Sequence, residues 1–184
     1  YVVAQLARHY AVPVERIVCT TGATGALSLI YRALLEPGDR VLVENPGFDL
    51  FHKIAETYGY GVDRFQRHGD DFAIDLDALA AKITPRTRLI VLSNLHNPSG
   101  MALSADTLAA IGTLAEAHGI HVVADEVYGD YIDQDRRPPP AARLSPACIS
   151  ISSLTKSHGL STLRCGWIVA APGPIARIRA LAEE

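Results

Sequence analysis

No run in this 184-residue chain approaches the ~18 apolar residues that a membrane-spanning helix needs, and no signal-peptide pattern is visible within it. A membrane is therefore not an expected partner. An excess of one charge is also missing, since 17 Lys and Arg face 20 Asp and Glu for a formal charge of −3. That balance argues against a nucleic-acid binder held by bulk electrostatics, although a single bound phosphate needs only local donors. Cysteine is scarce: Cys19, Cys148 and Cys165 are scattered without metal-ligand spacing. All three lie in or beside apolar, strand-like runs, so they are expected as small buried hydrophobes in a reducing compartment, the cytoplasm. His118 and His121 have HxxH spacing but straddle a helix end and a strand, so no metal is expected there.

What is present is the composition of a globular protein, 48% apolar and 20% charged, at a length that fits one domain with a real core. Tyr1 opens inside an amphipathic helical pattern without an initiator methionine, and Glu184 closes another without a C-cap. The chain reads as a segment of a longer one.

Strand and helix patterns alternate between those ends. Ile17 to Thr21 is a β-branched run stopped by Gly22, and Ala23 to Leu35 has apolar residues at helical spacing. Arg40 to Glu44 is a strand, Asn45-Pro46-Gly47 a turn, Phe48 to Tyr58 a helix and Gly59 to Gln66 another strand. Asp75 is the expected N-cap of a short helix to Lys82. Arg88 to Asn94 and Ile120 to Asp125 are apolar enough to be buried on both faces, and a helix from Ser104 to His118, stopped by Gly119, separates them. A polar, proline-rich loop covers Asp133 to Ala142. The alternation predicts an α/β domain with a mostly parallel sheet and right-handed crossovers.

Such sheets bind ligands at the carboxyl ends of their strands. At one such end lies Thr20-Thr21-Gly22-Ala23-Thr24, opening a helix whose free N–H groups favour a phosphate. Asn97-Pro98-Ser99-Gly100 follows another strand, and an ordinary turn explains it equally. Asp125 ends the VVAD strand, where a buried carboxylate needs a partner. A helix N-cap is the alternative reading of that aspartate.

The most informative stretch is Ile149 to Ala170, in which Lys156 lies in a hydroxyl-rich loop between two strand-like runs, with Arg164 eight residues on. An amine beside a packed interior is disfavoured as the cation and can attack a carbonyl to form a Schiff base. The neighbouring hydroxyls and Arg164 suit a phosphate. A lysine Schiff base beside a phosphate site is the signature of pyridoxal phosphate chemistry. A surface lysine in a serine-rich loop fits the stretch alone equally well.

Taken in order, TTGATGAL, NPGF, HNPSG, DEVY and SLTKSHGLSTLRCGW resemble the class I/II aminotransferases, the fold type I enzymes that use pyridoxal 5'-phosphate. The resemblance covers nearly the whole chain. It implies a three-layer αβα fold with a mostly parallel central sheet, residues 1–184 forming the large cofactor-binding domain. An N-terminal segment and a small C-terminal domain would lie outside it. By resemblance, Lys156 carries the Schiff base and moves the proton, and Asp125 pairs with the pyridine nitrogen. Asn97 and Tyr128 bond the ring's 3-oxygen, while Phe48 and Val127 cover the ring faces. Ala23, Thr24, Ser153 and Arg164, with Thr155 as a further candidate, form the phosphate cup. The substrate-carboxylate arginine and a partner-subunit tyrosine of this family lie outside the matched residues. The resemblance implies transfer of an amino group between an amino acid and a 2-oxo acid by a homodimer, with no nucleic acid, membrane or metal involved. A synthase, cyclase, lyase or decarboxylase would need the same residues, and a ligand-sensing domain of a transcription regulator could share them.

Overall fold

Each central strand is apolar at consecutive positions, and side chains that alternate between two faces must then be covered on both. The structure, a computed structural model describing residues 1–133 and 137–183, has that three-layer form. Its strands are β1 (Ile17–Thr21), β2 (Arg40–Asn45), β3 (Gly61–His68), β4 (Ala73–Ile74), β5 (Thr87–Ser93), β6 (His121–Asp125), β7 (Cys148–Ser153) and β8 (Cys165–Val169). Its helices are α1 (Val2–Tyr10), α2 (Gly22–Leu34), α3 (Leu50–Thr57), α4 (Leu76–Ala80), α5 (Ala105–His118), α6 (Ala141–Leu144) and α7 (Pro172–Ala182).

The strands form one eight-stranded sheet in the order β1-β8-β7-β6-β5-β2-β3-β4. β8 and the short β4 run against the others, which are mutually parallel. Val43, Val91, Val123 and Ile151 face a core shared with α2, α3 and α7. Leu42, Ile90, Leu92 and Val122 face the opposite core, with α4 and α5. Burying one such side chain is worth about 1.5–3 kcal/mol, so both layers are strongly held. α1 is seated by a smaller cluster in which Trp167 Nε1–H donates to the Tyr10 hydroxyl at 2.8 Å.

The helix boundaries follow local chemistry. Asp75 accepts the N–H groups of Asp77 and Ala78 and so caps α4, as expected from its position. Ser104 caps α5 through the Thr107 N–H, and Gly119 ends that helix at φ 64°. α3 begins at Leu50 rather than Phe48, which leaves the aromatic free in the turn after β2.

Three expectations need correction or completion. Cys19 is exposed, not buried, because β1 is the sheet's edge strand; Cys148 is buried and Cys165 partly so. α6 and β4 had no counterpart in the sequence patterns. The proline-rich loop falls partly outside the described residues, as does Glu184. No helix among the described residues is long and apolar enough to cross a membrane.

Candidate active site

The parallel strands place the ends of β1, β2, β5, β6 and β7 at one edge of the sheet. Reversed β8 begins there too, which delivers Arg164 to the same edge. Ala23, Thr24, Phe48, Asp125, Val127, Ser153, Thr155, Lys156 and Arg164 line one cavity of about 200 Å³ there. An adjoining hollow of about 40 Å³ is lined by Ser93, Asn97 and Tyr128, and shares Phe48, Asp125, Val127 and Lys156 with the first. The structure thus brings together every candidate named from the sequence.

One end of the cavity is an anion cradle. No side chain caps α2, so its first-turn N–H groups and the positive end of its dipole remain available. Gly22 opens the helix at φ +81°, and a Cβ there would lie 2.6 Å from Arg164 Nη2. The glycine is favoured there by its backbone conformation, and the Arg164 guanidinium lies across it. Gly166 serves the same approach from β8, since a Cβ there would collide with the Gly22 backbone. Arg164 Nη1–H donates to the Ser161 carbonyl at 3.3 Å. Ser153, at the end of β7, is buried, and its hydroxyl accepts the Thr155 N–H at 3.3 Å.

Asp125 lies at the other end. It is buried, and among the described residues its Oδ1 accepts one hydrogen bond, from the Val127 N–H at 3.2 Å. Burial pushes its pKa up to about 7; the Glu44 charge acts the same way, while the Val127 bond and the Lys156 charge oppose it. A group that brings a proton or positive charge against this carboxylate would relieve its desolvation.

Lys156 departs from expectation in its exposure. β7 ends at Ser153, so the lysine stands in the following turn at the mouth of the cavity, not in a packed interior. Its Nζ lies 5.9 Å from the centroid of the Tyr128 ring. The two loops are joined by Ser157 Oγ–H to the Val127 carbonyl (3.1 Å) and by the Tyr131 hydroxyl to the Lys156 carbonyl (3.3 Å). Phe48 stands over the opening with its ring edge-on to Phe51, centroids 5.7 Å apart.

Sequence reasoning missed three groups beneath this site. Glu44 and Arg67 form a fully buried ion pair at 2.7 Å, and Ser93 lies against it at 2.5 Å. A charged residue inside each of two strands was the available signal, but nothing local shows that the two charges meet. Glu126, beside Asp125, faces away from the cavity, accepts the Ala141 N–H at 2.8 Å and is pushed up to about 7 by burial.

The donor set suits pyridoxal phosphate: an uncapped helix N-terminus with an arginine for a phosphate, a buried carboxylate for a ring nitrogen, and a lysine for an aldehyde. Comparison with known proteins points the same way. The family model described as aminotransferase class I and II matches residues 2–183. An arginine–pyruvate transaminase of Pseudomonas aeruginosa is 33% identical, over 94% of this chain and 44% of its own length. The structure of N-succinyldiaminopimelate aminotransferase from Mycobacterium tuberculosis superposes with a TM-score of 0.86 at 34% identity, covering 98% of this chain and 49% of that one. A PLP-dependent aminotransferase from Streptococcus suis gives a TM-score of 0.88 at 28% identity, over 98% of this chain and 48% of that one. The chain spans about half the length of the curated relatives it matches.

Proposed function

The chain belongs to the class I and II aminotransferase family, and from that premise we propose that it is the cofactor-binding large domain of a pyridoxal-phosphate-dependent aminotransferase. The observation that carries the reading is a single cavity with Lys156 at its mouth, Asp125 at one end, and Arg164 with the α2 N-terminus at the other. Ala23 and Thr24 offer the first-turn N–H groups and a hydroxyl to the phosphate, and Ser153 and Arg164 close around it, with Thr155 at the rim. Asp125 would pair with the ring nitrogen and favour its protonated form, Asn97 and Tyr128 would donate to the 3-oxygen, and Phe48 and Val127 would cover the two ring faces. When bound, the cofactor supplies the sink for the electrons left on the substrate's α-carbon. With the cofactor bound, the Lys156 amine would be the group that takes its aldehyde, and would serve as the base and acid that moves a proton between the substrate's α-carbon and the cofactor.

The substrates on this reading are an amino acid and a 2-oxo acid, supported by the names of the relatives. Two relatives of like similarity are named for different amino donors, so the likeness does not name the donor of this chain. A homodimer belongs to the same reading through the family. A cytoplasmic location agrees with three cysteines that form no disulfide.

The test is borohydride reduction of the cofactor-loaded full-length protein, followed by peptide mapping. The pyridoxyl label is expected on Lys156; a label on Lys53 or Lys82 would overturn the assignment.

A further inference from the structure

Ser93, in the last position of β5, is held at all three of its polar groups by one ion pair. Its N–H and its hydroxyl both donate to Glu44 Oε1, at 2.8 and 2.5 Å. Its carbonyl accepts Arg67 Nη2–H at 2.9 Å. Arg67 Nε–H and Nη2–H occupy Glu44 Oε2 at 2.9 and 2.7 Å, so both carboxylate oxygens are taken. Both charged side chains are wholly buried.

This arrangement fixes a direction. A serine hydroxyl has one proton and two lone pairs. Because a carboxylate can only accept, the Ser93 proton goes to Glu44, and a lone pair is left to accept the Asn97 N–H at 2.9 Å. Ser93 also stands opposite Asp125 in the β5–β6 register, and the Asn94 N–H donates to the Asp125 carbonyl at 2.9 Å. His96 ties the same loop to the turn bearing Phe48, through the Pro46 carbonyl at 2.9 Å. The ion pair thus acts where the loop carrying Asn97 leaves the sheet.

We propose that Glu44, Arg67 and Ser93 are positioning residues that set the Asn97 amide against the 3-oxygen of the bound cofactor, and do not serve stability alone. The inference rests on the cofactor reading above. A donor fixed at that oxygen favours its deprotonated form and so lowers the pH at which the bound cofactor's absorbance titrates. Loosening the Asn97 loop should raise that midpoint.

The experiment is an absorbance titration of the full-length protein loaded with pyridoxal phosphate, with thermal unfolding in parallel. Ser93→Ala should raise the midpoint by on the order of one pH unit, the scale of one lost hydrogen bond to a charged group. Ser93→Thr, which keeps the hydroxyl, should restore the wild-type value. A Ser93→Ala midpoint equal to wild type overturns the proposal, whatever happens to thermal stability. If Ser93→Ala does not fold, Glu44→Gln provides the decision. It keeps the shape of Glu44 but has one acceptor oxygen instead of two, so its midpoint must rise, and an unmoved one overturns the proposal. A wild-type protein whose cofactor absorbance does not titrate at all would sink the cofactor reading and this inference with it. A normal wild-type titration with unmoved variants sinks this inference alone.

Discussion

Glu44 and Asp125 are both buried carboxylates at the same edge of one sheet, and their surroundings are opposite. Glu44 accepts from Arg67 at one oxygen and from Ser93 twice at the other. Among the described residues Asp125 accepts a single backbone N–H; burial raises both carboxyls, and that of Asp125 reaches about 7. A buried charge is tolerated when it is paired and hydrogen-bonded, and is costly otherwise. Glu44 therefore belongs to the framework, complete without a ligand. Asp125 lines the cavity that also holds Lys156 and Arg164, and on the proposed reading its partner is the cofactor. The contrast separates a carboxylate satisfied within the fold from one left facing the cavity, at the ends of neighbouring strands.

The comparison is broken most severely by removing one side of the satisfied pair. Arg67→Met should leave Glu44 buried and unpaired at a cost of about 3–5 kcal/mol, read as a fall in the chemical-denaturation midpoint. Adding Glu44→Leu should recover much of that loss, because the orphaned charge goes with it. A double variant no more stable than the single one would mean that Glu44 has other support.

Asp125 should behave in the reverse sense. Its folded value lies above the ordinary 3.8, at about 7, and Glu126 is raised from 4.5 to about 7. Below the ordinary values both folded and unfolded chains hold these protons, and the stability contribution is full. Between there and about 7 the folded chain keeps protons that the unfolded chain releases, so stability falls as pH rises. Asp125→Asn should flatten that fall in the cofactor-free protein, and adding Glu126→Gln should flatten it further. Thermal unfolding across this pH range gives the answer. A variant with the wild-type slope would show that Asp125 carries no desolvation penalty.

The smallest effect is expected from a residue in neither region. Asp75→Ala should cost about 1 kcal/mol through the lost α4 cap and leave cofactor affinity unchanged. A change in affinity there would blur the separation that the two carboxylates draw.

Much of the open region was legible in the sequence, and the closed one was not. Asp125 ends an apolar run, and Asn97 and Lys156 lie three or four residues past the ends of two more, so the rule that parallel strands present their carboxyl ends at one edge brings them together without knowledge of strand order. Glu44 and Arg67 lie 23 residues apart on β2 and β3, and Ser93 is on β5. Their meeting depends on β2 lying between β3 and β5, which no local pattern encodes. The reversal of β8 was hidden for a related reason, since an apolar run reads the same in either direction. Exposure was misjudged at Cys19 and Lys156, where the edge of the sheet and the end of a strand decide it and composition does not.

The central claim, that Asp125 is the carboxylate left open for the cofactor's ring nitrogen, is tested most directly by magnetic resonance of pyridoxal phosphate isotope-labelled at that nitrogen. The labelled cofactor would be bound to the full-length protein and to Asp125→Asn. The account predicts a protonated ring nitrogen in the wild type at neutral pH and an unprotonated one in the variant, with the cofactor bound in both. The same unprotonated signal in both proteins, or a protonated one in both, would contradict it.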